Sequence, residues 1–116
     1  MTTDTIKVQR LESREDLGAL IAGDVVEIRD RDFHGEPEGD RRYQAVVFRN
    51  TKGRRELIMP HPDDKEVIRS YGYLISNVEV YEGAVVLEED HVTISNFSQR
   101  DSGYAERKSL IEGAGL

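Results

Sequence analysis

The sequence predicts a β-rich α+β fold: a small antiparallel barrel or roll carrying two short helices. Three observations lead there. Apolar residues fall in short runs with alternating or β-branched character, as in Val25-Val26-Glu27-Ile28 and Ala84-Val85-Val86-Leu87. Turn signals recur at close intervals, at Gly23-Asp24, Asn50 to Gly53, Pro60 to Pro62, Gly72 and Glu82-Gly83. Helical spacing is confined to short stretches, so hairpins must make most of the connections.

Residues 5–11 alternate, with Ile6 and Val8 on one side and Lys7 and Gln9 on the other, and predict a first strand. Ser13 then caps a short helix. Glu15 and Asp16 sit where the helix dipole favours acids, and Leu17, Leu20 and Ile21 make one apolar stripe. Gly23 supplies a left-handed residue, and residues 25–29 form the next strand. Residues 30–41 contain no aliphatic residue and predict a long exposed loop. Residues 43–48 and 54–59 predict a hairpin about Asn50-Thr51-Lys52-Gly53, a type I turn with a bulge. That register sets Val47 against Leu57 and Val46 against Ile58. Both faces are then apolar, which places the hairpin centrally.

Residues 63–71 predict a second helix, with Asp63 as cap, Glu66 reaching back, and Val67, Ile68 and Tyr71 on one face. Residues 73–81 and 84–88 predict a hairpin about Glu82-Gly83 that pairs Val80 with Val85 and Val78 with Leu87. Glu79, Tyr81, Val86 and Glu88 then take a wetter face. Residues 92–97 form the last strand. The chain reads as one β-rich domain over 1–98 and a C-terminal tail over 99–116, with a short docked helix over 104–111 and a frayed end at Gly113-Ala114-Gly115. The segment Leu20-Ile21-Ala22-Gly23-Asp24-Val25-Val26-Glu27-Ile28 resembles the opening strand of SH3-like barrels, where a helical turn feeds Gly-Asp into the first strand. The resemblance covers nine residues and implies fold alone.

Composition narrows the function. Twenty-three acids face sixteen bases, for a formal net charge of -7, and twelve of the bases are arginine. A lysine-poor acidic surface suits a cytosol crowded with salt, and codon usage in a GC-rich genome gives the same arginine bias. There is no cysteine, so disulfides, thiolate metal sites and cysteine nucleophiles are excluded. The chain opens without a basic and apolar leader, and no apolar run approaches a membrane span, so a cytoplasmic location without membrane association is expected.

Four groups of residues are candidates for function. Phe33 and His34, at the tip of the polar loop, with Tyr81 and Val86 on the wetter sheet face, are candidate contacts for a protein partner or a second copy. Arg42, Arg49, Arg54 and Arg55, interleaved with Tyr43 and Phe48, have the vocabulary of a nucleic-acid-binding barrel. Pairing with Glu27, Glu56, Glu79 and Glu88 across the sheet is the bland account of the same arginines. Residues 30–35 carry carboxylates two apart and a sixth-position Gly, as a calcium loop does. His34 at the fifth position and Arg41 at the twelfth argue against calcium.

Pro60-His61-Pro62-Asp63-Asp64 resembles the His-Pro-Asp-Asp motif of zinc-dependent de-N-acetylases that act on N-acetylglucosamine conjugates. The resemblance implies His61 and Asp64 as metal ligands and Asp63 as base, with His34 or His91 left as third ligand. Read alone, the same residues are the start of the predicted helix, and that reading is preferred. No nucleophile–base pair and no phosphate or dinucleotide fingerprint occurs. The sequence therefore leads to a non-enzymatic binding module with no cofactor, acting through a protein partner or its own oligomer. A nucleic-acid-binding barrel and a metal hydrolase stand as alternatives.

Overall fold

The computed structural model describes residues 6–31, 40–50 and 52–116. In chain order they form β1 (Val8–Gln9), α1 (Arg14–Ala19), β2 (Val25–Arg31), β3 (Asp40–Arg49), β4 (Arg55–His61), β5 (Asp64–Tyr73), β6 (Glu79–Tyr81), β7 (Ala84–Leu87), β8 (Val92–Phe97) and α2 (Tyr104–Gly113). Single 3₁₀ turns lie at Ile75–Asn77 and Glu89–His91. Among the described residues the strands make one mixed sheet of eight, in the order β6-β7-β2-β3-β4-β5-β8 with β1 beside β2. The sheet is open, where a barrel or roll is expected from the sequence, and β6 and β8 are its edges.

The central hairpin follows its sequence. Val46 pairs with Ile58 and Val47 with Leu57. The turn closes through Gly53 N–H to the Asn50 carbonyl at 2.9 Å and Asn50 N–H to the Arg54 carbonyl at 3.0 Å. Gly53 has φ 74°, which an L side chain resists. Alternation then sends Ala45, Val47, Leu57, Val26 and Ile28 into one core, closed by Leu11, Leu17 and Val78. Val25, Val46, Phe48, Ile58 and Ile68 enter a second core on the opposite face, under Tyr104 and Ile111 of α2. The hairpin β6–β7 also has the expected register, Val80 against Val85, over a turn in which Glu82 and Gly83 have φ 50° and 86°. That primed geometry matches the twist of the strands.

The structure departs from these expectations in several places. The pairing is mixed, because β2 runs parallel to β1 and to β7, which occupy successive lengths of its free side. Alternation fixes which face a residue takes but not the direction of its neighbour.

The helix expected over residues 63–71 is strand β5, hydrogen-bonded to β4 and to β8, so Asp63 caps no helix. Val67, Ile68 and Tyr71 fit both a helical stripe and a strand, and a ladder on both sides decides for the strand. Pro62 and Asp63 form the turn, and the register jumps beside it, at Pro60/His61.

The strand expected over residues 73–81 is broken by the 3₁₀ turn at Ile75–Asn77. Ile21 is 70% exposed, outside the stripe, because α1 ends at Ala19 and the chain is extended at Leu20. Val86 is 4% exposed, since β7 lies inside the sheet between β6 and β2.

Strand pairing also runs into the polar loop, with Asp30 opposite Arg41 and Arg31 opposite Asp40. The C-terminal residues are folded against the second core: Leu116 N–H donates to the Ile111 carbonyl at 3.0 Å, and Leu116 packs on the cluster.

Candidate functional site

The hairpin end of β3 and β4 gathers cations. Arg49 and Arg55 are direct cross-strand partners, and Arg55 is in turn paired with Tyr73 of β5. Arg54 and Lys52 sit in the turn beside them, exposed. Asn50 builds that turn: its Oδ1 accepts from the N–H groups of Lys52 and Arg54 at 2.9 and 3.0 Å.

Of the four acids expected to neutralise the arginines, Glu27 meets Arg42 as expected, and Glu56 and Glu88 are engaged with other residues. Glu27 lies 3.8 Å from Arg42, Glu88 lies 3.5 Å from His91, and Glu56 binds Arg107 at 2.8 Å. Among the described residues Arg49, Lys52, Arg54 and Arg55 have no ion-pair partner. Like charges directly opposite each other on a sheet are destabilising, so Arg49 and Arg55 form an electropositive corner in an acidic chain. Tyr73 lies against it with its hydroxyl buried and unpartnered. Burial pushes that hydroxyl up to about 12, against the opposing pull of Arg55 and Arg49.

Arg42 does not join this corner. It lies seven residues back along β3, roughly 23 Å at strand rise. It also takes the face of Val46 and Phe48, whereas Arg49 takes the face of Ala45 and Val47. There Arg42 and Glu27 border a cleft of about 960 Å³ between the sheet and α2, which Lys65, Lys108 and Glu112 also line. Three cations and two acids line that cleft, so it has only a small net charge.

Tyr81 is 53% exposed at the β6 edge. The Arg29 guanidinium lies 5.7 Å from its ring centre and 3.1 Å from the Glu82 carboxylate. Val86 shares that face but is buried, so it offers a partner no surface. Phe33 and His34 lie outside the described residues.

His61 is placed against metal binding. Its Nδ1 faces the Asp63 N–H at 3.0 Å and its Nε2 faces an Arg69 guanidinium nitrogen at 2.9 Å. A neutral imidazole has one lone pair, so two donors already compete for it, and one of them is a cation. Asp64 accepts from the Glu66 N–H at 3.0 Å. Among the described residues no group of three or more His, Cys, Asp or Glu could hold a metal ion.

A feature that sequence reasoning missed is the open edge at β8. Its sequence, Val-Thr-Ile-Ser-Asn-Phe, carries no charge in a chain that is 34% charged. That uncharged run was a legible signal. Its position at an edge was not, because it depends on β5 being a strand. Among the described residues no helix is long and apolar enough to cross a membrane. No family model, curated protein or solved structure matches this chain.

Proposed function

We propose that this protein is a non-enzymatic binding module of the cytoplasm, acting through a protein partner or a second copy of itself. The observation that carries the reading is β8, a six-residue edge strand without charge, proline or bulge. Such an edge is a template for strand addition, in which backbone hydrogen bonds supply affinity and alternate side chains supply selectivity. Exposed Ile94 and Leu74 add apolar surface on and beside it. Isotope-edited NMR with a peptide copying residues 91–98 tests the reading. Shifts confined to β8 and β5 are expected. A peptide without effect at millimolar concentration, on a chain that also does not self-associate, would remove it.

Nucleic-acid binding is the second reading, favoured by the unneutralised pair Arg49–Arg55 with Arg54 beside it. Arg42 is dropped from that set. A single-stranded oligonucleotide bound at low salt, released steeply as salt rises, and lost in Arg55→Glu would establish it.

A further inference from the structure

We infer that two copies of this chain join into a two-fold dimer in which β8 pairs antiparallel with the partner's β8, centred on Ile94. The inference rests on the binding reading above and names its partner. Among the described residues β8 pairs with β5 alone, in unbroken register from Ile68–Phe97 to Tyr73–Val92. Alternate N–H and C=O groups of β8 therefore face away from the sheet. Edges of proteins that stay monomeric are usually blunted by charge, proline, a bulge or short length. The opposite edge, β6, is three residues long and carries Glu79. Strand β8 has none of these devices.

Symmetry fixes the register. A two-fold axis normal to the sheet keeps each face on its own side, so residues pair only with others of the same parity. Centring on Ile94 sets it against the partner's Ile94. Thr93 then faces the partner's Ser95, and Val92 the partner's Asn96. Ile94, 41% exposed at mid-strand, is covered by its own copy on one face. The hydroxyls of Thr93 and Ser95 meet on the other, a favourable cross-strand pair. Centring on Ser95 would instead set Ile94 against the partner's Asn96.

Charge selects the direction. The segment before β8 carries Glu88, Glu89 and Asp90, and the segment after it carries Arg100 and Asp101, with no net charge. Antiparallel pairing brings the acidic flank of one copy beside the neutral Arg100-Asp101 flank of the other, away from its acidic run. Parallel pairing would align two acidic runs in chains that each carry -7. Elsewhere the acidic surface opposes self-contact, which leaves this uncharged strand as the place where two copies meet at least electrostatic cost. Six residues a side fall short of the roughly 800 Å² per partner of a stable interface, so dissociation on the order of micromolar is expected.

Sedimentation velocity from about 1 to about 500 µM tests this across the range where such a dimer forms. The wild type should pass from monomer to dimer, more readily in molar salt. Ile94→Lys, at an exposed position, should stay monomeric and folded, and Thr93→Lys should repeat the result from the other face. The chain has no native cysteine, so Ile94→Cys should oxidise to a covalent dimer across the axis. Ile21→Cys, exposed but off β8, should do so far more slowly. A wild type that stays monomeric, an Ile94→Lys variant that still dimerises, or equal cross-linking at the two cysteines overturns the dimer. If a monomeric chain nevertheless binds the peptide of residues 91–98 at β8, the dimer falls and the binding reading stands. If neither association occurs, both fall.

Discussion

Glu56 and Arg107, fifty-one residues apart, meet as a buried two-pronged ion pair between β4 and α2. Arg107 Nε and Nη2 donate to the two carboxylate oxygens at 3.0 and 2.8 Å. The guanidinium lies between the rings of Phe48 and Phe97, 4.5 and 4.1 Å from their centres. Ser70 and Asn50 complete the carboxylate's hydrogen bonds at 2.7 and 3.2 Å. The pair fixes how α2 sits on the second core, and so sets one wall of the cleft beside Arg42.

Removing one partner strands a buried charge. Arg107→Ala and Glu56→Ala should each cost about 3–5 kcal/mol in urea unfolding. The double variant Glu56→Leu/Arg107→Met should recover most of that loss. A double variant no better than the sum of the singles would show that packing, not charge pairing, sets the cost.

Two groups make stability depend on pH, at opposite ends of the scale. Burial alone would raise the Glu56 carboxyl, but the hydrogen bonds from Arg107, Ser70 and Asn50 and the Arg107 charge together hold it below its ordinary 4.5. Its contribution is therefore present above that value and is lost as pH falls through the lower, folded one. Tyr73 shifts the other way, from 10.0 to about 12. The unfolded chain ionises first, so stability falls as pH rises from about 10 to about 12. Tyr73→Phe should abolish much of the alkaline loss. At neutral pH it should be neutral or stabilising, because the buried hydroxyl has no partner. Urea midpoints across pH report both limbs.

The Arg49–Arg55 opposition predicts an unusual gain from a charge reversal. Arg49→Glu should stabilise the hairpin by about 0.5 kcal/mol in dilute buffer. The gain should vanish near 1 M salt, where screening acts over about 3 Å. A loss of stability in dilute buffer would mean that the two guanidinium groups do not repel.

The acidic excess predicts a response to salt. Acidic runs at Glu36-Pro37-Glu38-Gly39-Asp40, Asp63-Asp64 and Glu88-Glu89-Asp90 bring like charges together in sequence. Molar potassium chloride should raise the thermal midpoint by screening them. A midpoint that stays flat or falls between 0.1 M and 2 M would reduce the arginine-rich composition to codon usage.

Where local geometry decides, the fold was legible. The turn at Asn50 and Gly53 fixes the pairing of Val47 with Leu57, and Glu82-Gly83 fixes that of Val80 with Val85. Where long-range pairing decides, it was not. Val67, Ile68 and Tyr71 satisfy a helical period, and Asp63 with Glu66 mimics a capping box, so only the ladders to β4 and β8 reveal a strand. Val86 reads as a wet position in a hairpin edge and is buried because β7 lies beside β2. The same limit governs the site. Arg49, Arg54 and Arg55 cluster by one local turn, whereas the bond between Glu56 and Arg107 and the edge position of Ile94 follow from topology.

Amide hydrogen exchange in β8, measured in dilute and in concentrated protein, tests the central claim most directly. The amides of Val92–Phe97 that face away from β5 should slow as concentration rises, while those of β3 and β4 keep their rates. Exchange in β8 that is independent of concentration, in a chain that also ignores the peptide of residues 91–98, would contradict the account.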